Sequence, residues 1–292
     1  MAATTLAGQI AEAADRPGPD LAAAAFLIAR IEYPRLDPTP YLERLKRMGD
    51  EAARFVADQA GTDAPLPVRI DAVNRYLFGE LGYTGNRERF EDPRNSCLNE
   101  VMDRKTGIPI TMALVYIEVA RGAGIRAEGI NFPGHFLVRC LQDSQADDPS
   151  DGLIVDPFHG GAILNEQECR QLLQPHMSEA AFEPSLLARA TRRQILVRML
   201  LNLKKLYVKM HSFPQARQTT DALLALQPSS LPDLRDRGLL AYHMSDFSHA
   251  LRDLEEYLKL ARLSEQDEEQ KKETEQVWEH VKTLRRRVAQ LN

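Results

Sequence analysis

Apolar positions along this chain follow a helical spacing in several runs between about residues 21 and 121, alternate briefly, and then return to a helical spacing. Residues 1–20 carry no sustained pattern and are expected to be weakly ordered. Pro17-Gly18-Pro19-Asp20 then reads as a helix start, with Asp20 as the N-cap and a helix running through Ile31. A second helix is expected over about 40–57, apolar at Tyr41, Leu42, Leu45, Met48 and Ala52, and a third over about 68–80. The turn-rich, charged stretch 82–93 reads as a loop. Two further helices come next, Ser96–Lys105, capped by Asn95, and Pro109–Arg121, joined by Thr106-Gly107-Ile108. Met112, Leu114, Val115, Ile117 and Val119 make the second of these apolar around most of its circumference, as a buried central helix would be.

After Gly124 the period changes. Ile125–Asn131, Phe136–Leu141 and Leu153–Pro157 are short, rich in β-branched or aromatic residues, and bounded by Gly, Pro, Asn and Asp. The polar run Gln142–Gly152 between the last two reads as a hairpin tip. Helices followed by a small, mostly antiparallel sheet make an α+β domain, expected over 21–184.

Beyond Glu183 the expectation is helix throughout, with a repeat. Leu206, Phe213 and Ala216 recur 34 residues later as Leu240, Phe247 and Ala250; Pro228 closes the first unit and Gly238 takes a tight-packing position in the second. A 34-residue helix–turn–helix period with small residues at the crossing resembles the tetratricopeptide repeat. The units fall at about 197–230 and 231–264, in a helical domain spanning 185–292. Its last helix, 265–292, has acids early and Arg285-Arg286-Arg287 late, which suits the helix dipole of a solvated cap. Two repeats rarely stand alone, so support from neighbouring elements is expected.

Composition narrows the function classes. The 292 residues are 43% hydrophobic and 27% charged, which is ordinary for a globular protein. Thirty-seven basic against 42 acidic side chains give a net charge of −5, so no electrostatic footprint for nucleic acid or an anionic membrane is present. The longest aliphatic run, Leu21–Ala29, is too short to cross a bilayer, and the first residues carry acids where an export signal is apolar. Three cysteines, 97, 140 and 169, make no disulfide framework, which points to a reducing, cytoplasmic setting. Cys140 is expected in the core and Cys169 on a helix face.

Chemistry concentrates in Asn95–Gly161. Cys97, His135 and Asp156 occur in that order: a thiol to attack an acyl carbon, an imidazole to carry the proton, and a carboxylate to fix the imidazole tautomer. His135 opens one strand and Asp156 ends another, so adjacent pairing would unite them. His159 lies close enough to suggest a metal set with that pair, but ligands from separated segments are a weak signal, and neither metal nor cofactor is expected. No phosphate-binding glycine loop, zincin or serine-hydrolase motif occurs.

The segments TGIPITMALVYIEVARGAGI, NFPGHFLVRC and LIVDPFHGG resemble the transglutaminase-like, papain-like core. With the repeats, the chain resembles the bacterial SirB-type proteins, which join the two. The resemblance implies a nucleophilic cysteine at the start of the central helix, where the helix end stabilises a thiolate. Aligned on Gly107, Ala113 and Gly124, that position is Pro109, which has no nucleophile. His135 and Asp156 match the family's other two residues. The chain is therefore expected to be a binding or regulatory protein. Its former catalytic groove, lined by Asn95, Pro109, Thr111, His135, Asp156 and His159, would take a peptide or small ligand, and the repeats would present a concave surface to a protein or peptide partner. The alternative is a cysteine acyl-transfer enzyme using Cys97, His135 and Asp156.

Overall fold

The computed structural model describes residues 5–16, 21–61, 63–141, 152–175, 182–263 and 267–291. The expected Asp20 cap and the polar segment 142–151 lie outside them. Two units are formed, Ala13–Met199, and Leu200–Asn292 with Met1–Glu12.

The stretch expected to be weakly ordered contains a helix, α1 (Leu6–Asp15). Its signal is short but real: Leu6, Ile10 and Ala14 repeat at four-residue spacing, and Ile10 is fully buried. The first unit continues with α2 (Leu21–Ala29), α3 (Thr39–Ala60) and α4 (Leu66–Asn74). The turn after α4 widens into a π-helix over Arg75–Glu80, where Tyr76 reaches Glu51 through its hydroxyl at 2.7 Å. The segment 82–93 is not loop throughout. Thr84–Gly85 is a short strand, β1, paired in parallel with β2 (Thr106–Gly107). Between them, Pro93–Ser96 forms a 3-10 turn, and α5 (Leu98–Arg104) starts two residues later than expected. Cys97, not Asn95, holds the cap position of α5 in extended conformation, because the Asn95 side chain is committed elsewhere.

Helix α6 (Pro109–Gly122) is the buried centre that its composition predicts. It packs on α3 at a crossing where a Cβ on Gly122 would sit 2.3 Å from the Gly49 Cα, so both glycines are needed for the backbones to touch. Its other side meets an antiparallel sheet ordered β3 (Arg126–Ile130), β4 (Leu137–Leu141), β5 (Leu153–Asp156), β6 (Ala162–Leu164). Strand β6 is absent from the sequence expectation. It is three residues long, and Gly160 and Gly161, both at positive φ, hide it behind a turn. α7 (Glu166–Leu173) buries Cys169 in a cluster with Ile130, Leu137 and Ile154 of the sheet, and Cys140 is fully buried in β4. Beyond Glu183 the chain is not wholly helical: Pro184–Leu187 is a 3-10 turn and Arg189 bridges to Ile130. α8 (Arg192–Lys209) then begins, its Arg192 donating to the Ala13 carbonyl.

In the other unit, α9 (Phe213–Leu226), α10 (Leu231–His243), α11 (Phe247–Ala261) and α12 (Glu268–Leu291) follow the repeat. Ala216 and Ala250 are fully buried, and a Cβ on Gly238 would meet Leu254 at 2.7 Å. The small residues sit where helices come closest, as the 34-residue period implies. Val277, Val281 and Leu284 of α12 seal the cluster, while Arg285 pairs outward with Glu255.

Candidate functional site

Antiparallel pairing of β4 and β5 creates the site. Val138 stands opposite Val155, so Asp156 falls opposite Leu137 at the head of β4, and His135 lies in the bend two residues before it. Gly134, at φ +68°, turns the chain into β4 just before His135. The His135 Nε2 is 2.9 Å from Asp156 Oδ2. The turn Pro157–His159 then brings a second imidazole to the same oxygen, with His159 Nδ1 at 2.7 Å. Asp156 Oδ1 accepts from the backbone N–H groups of Phe158 (3.0 Å) and His159 (3.3 Å). One carboxylate, 1% exposed, thus orients two histidines whose rings stack with centroids 5.5 Å apart. Phe158 meets both rings edge-on. Burial pushes the Asp156 carboxyl up, but the bonds and charge from His135 and His159 outweigh it and hold the group below its ordinary value.

Asp156→Asn is therefore expected to cost on the order of 3 kcal/mol at neutral pH, since it removes charge-assisted bonds from a buried group. The sign of the pH dependence comes from the depressed value. The contribution is complete above about pH 4, the unfolded carboxyl's range, and is lost as pH falls through the lower folded value. Urea unfolding of both proteins across that range checks it: the gap should close in acid.

The remaining predicted residues fall into two groups. Asn95 is fully buried and saturated: its Oδ1 accepts from Asn86 and Arg104, and its Nδ2 donates to the Arg89 carbonyl. The Thr111 hydroxyl donates to the Asn95 carbonyl at 2.7 Å and accepts from the Ile108 N–H, locking the start of α6. Pro109, the first residue of that helix, is buried. These three build the frame. His159 instead borders a cavity of about 570 Å³, with Thr84, Asn86, Arg87, Thr106 and Phe158 among its walls. Of the six residues expected to line a groove, His159 alone borders this one, and the stacked His135 lies behind it.

Cys97 is 1% exposed, and among the described residues its thiol has no hydrogen-bond partner. Burial, followed by the charges of Glu32, Glu100 and Asp92, pushes its pKa up to about 12. A thiolate needs the opposite surroundings.

The cavity's other wall, Thr84–Glu88, is not legible in the sequence, because a charged stretch without periodicity gives no sign of the short β1–β2 pairing that fixes it. Nor is the role of Asn74, whose Nδ2 donates to the Gly161 carbonyl at 2.7 Å and so pins the turn carrying His159. The adjacent glycine is the trace of that contact: a Cβ on Gly161 would lie 2.0 Å from Asn74 Oδ1.

A family model described as the transglutaminase-like superfamily matches residues 39–201, and one for the tetratricopeptide repeat matches 203–277. A UPF0162 protein of Xylella fastidiosa is 41% identical over 245 residues, 82% of this chain and 83% of that one. A UPF0162 protein of Pseudomonas aeruginosa is 29% identical over 245 residues, 83% of this chain and 85% of its own. F-box only protein 21 of Mus musculus is 33% identical over 177 residues, 60% of this chain but 28% of that protein. No solved structure matches. The chain, which carries such a core together with tetratricopeptide repeats, belongs to the transglutaminase-like superfamily and to the UPF0162 proteins.

Proposed function

We propose that this protein is a transglutaminase-like binding module without acyl-transfer chemistry. Its groove beside His159 holds an extended segment of a protein partner, and its repeats supply a second contact surface. The observation that carries the reading is the pairing of a His135–Asp156 couple with a proline at the start of α6, while the Cys97 thiol is buried and opposed by the charges of Glu32, Glu100 and Asp92. The cavity bordered by His159 is within the usual size range of ligand sites, and Thr84, Asn86, Arg87, Glu88 and Thr106 in its walls offer polar groups to a peptide. Tetratricopeptide repeats generally serve protein–protein contacts. The net charge of −5 does not favour nucleic acid, and no described helix is long and apolar enough to cross a membrane. Three free buried thiols suit the cytoplasm. The alternative, acyl transfer through Cys97, His135 and Asp156, finds no support in the surroundings of the thiol.

The test is a peptide selected against the full chain from a random display library, with its affinity measured on variants. Arg87→Trp, which fills the groove from an exposed position, should weaken binding by at least about tenfold, whereas Cys97→Ser should leave it unchanged. The peptide should be recovered chemically intact. Equal affinity for Arg87→Trp, or cleavage of the peptide lost in Cys97→Ser, would reverse the assignment.

A further inference from the structure

Catalytic couples of the thiol–imidazole–carboxylate kind need one histidine on their carboxylate, and here there are two. His159 does not belong to the family's catalytic pattern. Its ring faces the same oxygen as His135, from a turn held by Asn74. One ligand atom from each of His135, Asp156 and His159 lies within 4.8 Å of the other two. We propose that these three side chains form a binding site for a divalent transition metal of the zinc class, with its open coordination directed to the groove that His159 borders.

The chemistry of the donors fits. Two imidazoles and one carboxylate are the ligand set of open zinc and related sites, which leave a position for water or a ligand oxygen. A tetrahedral ion about 2.0–2.1 Å from each donor needs them about 3.3 Å apart. The two nitrogen–oxygen separations, 2.9 and 2.7 Å, are already slightly inside that spacing. The separation between the two nitrogens needs to close by about 1.5 Å at most, a shift small against the freedom of a partly exposed side chain. His159, with 37% of its side chain exposed, is the member free to make it. The outer shell is also present. Asp156 Oδ1 is fixed by two backbone N–H donors, as ligating carboxylates usually are, leaving Oδ2 for the ion.

Binding replaces the two ring-to-carboxylate contacts with two nitrogen–metal bonds and one oxygen–metal bond; each ring stays neutral by carrying its proton on the other ring nitrogen, and any second proton is released to solvent. Two neutral rings and one carboxylate leave the site with a net charge of about +1. Such a site favours a carboxylate or carbonyl oxygen of a bound segment. This extends the proposed groove function by naming what anchors the occupant, and it rests on that reading only for the fourth ligand.

The test uses the metal alone. Full-length protein is stripped with a chelator, dialysed and titrated with Zn²⁺ by calorimetry, and a parallel sample is loaded with Co²⁺ for its visible spectrum. One ion per chain is expected, with micromolar or tighter affinity. His159→Ala should weaken it at least about tenfold, and His135→Gln should abolish it. His249→Ala, which alters the His249–Asp246 pair in the helical unit, should change nothing. His159→Ala removes a partly exposed ring and circular-dichroism melting will show it folded. Absence of stoichiometric binding in the parent protein, or parental affinity in either His159→Ala or His135→Gln, overturns the site. Neither result touches the groove, because peptide affinity is measured separately and without added metal.

Discussion

Iodoacetamide is expected to leave all three cysteines of the native protein unmodified near neutral pH, and to alkylate all three once the chain is unfolded. The thiolate is the reacting species, and an ordinary cysteine titrates near about 8.5. Burial raises Cys97 and Cys140 to about 12 and Cys169 to about 11. A rise of that size means roughly 10³-fold less thiolate at Cys97, before lost access is counted. For Cys97 the adverse charges are specific. Glu32, Glu100 and Asp92 all oppose a negative sulfur, and no side-chain hydrogen bond is made by Cys97 at the cap position of α5. Mass spectrometry of timed samples reads the rate for each cysteine. Labelling of native Cys97 within about tenfold of the unfolded rate would restore the acyl-transfer alternative.

The parts of this protein legible in its sequence are those with a long period or a strong local signal. The buried central helix announces itself by being apolar on all sides. The antiparallel sheet is marked by short alternating runs, and its pairing brings His135 and Asp156 together as their places at a strand start and a strand end imply. The repeat shows because Ala216 and Ala250, 34 residues apart, both need to be small. The features that escape depend on single contacts between distant segments. A two-residue strand such as β1 has no period, and only its pairing with β2 makes it one. Asn95 resembles a helix cap because asparagine favours that role, but tertiary partners at Asn86, Arg89 and Arg104 take its side chain. The second histidine on Asp156 is visible as a neighbour in FHGG. Its sharing of one oxygen with His135 is not, since that depends on the turn fixed by Asn74.

The central claim is that a transglutaminase-like frame persists here with only its nucleophile replaced, by Pro109 at the start of α6. Restoring a thiol there is the direct test. In Pro109→Cys the new sulfur would sit at a helix N-terminus, and the account places it beside the imidazole of the His135–Asp156 couple; both influences would favour the thiolate. Pro109→Ala controls for loss of the proline, and thermal melting of both shows whether the fold survives. The measurement is the titration of the introduced thiol, followed by thiolate ultraviolet absorbance against the Pro109→Ala background. The account predicts a value below about 7 that rises by at least about one unit when His135→Ala is added. A thiol in folded Pro109→Cys that titrates at or above about 8.5, unaffected by His135→Ala, would contradict it.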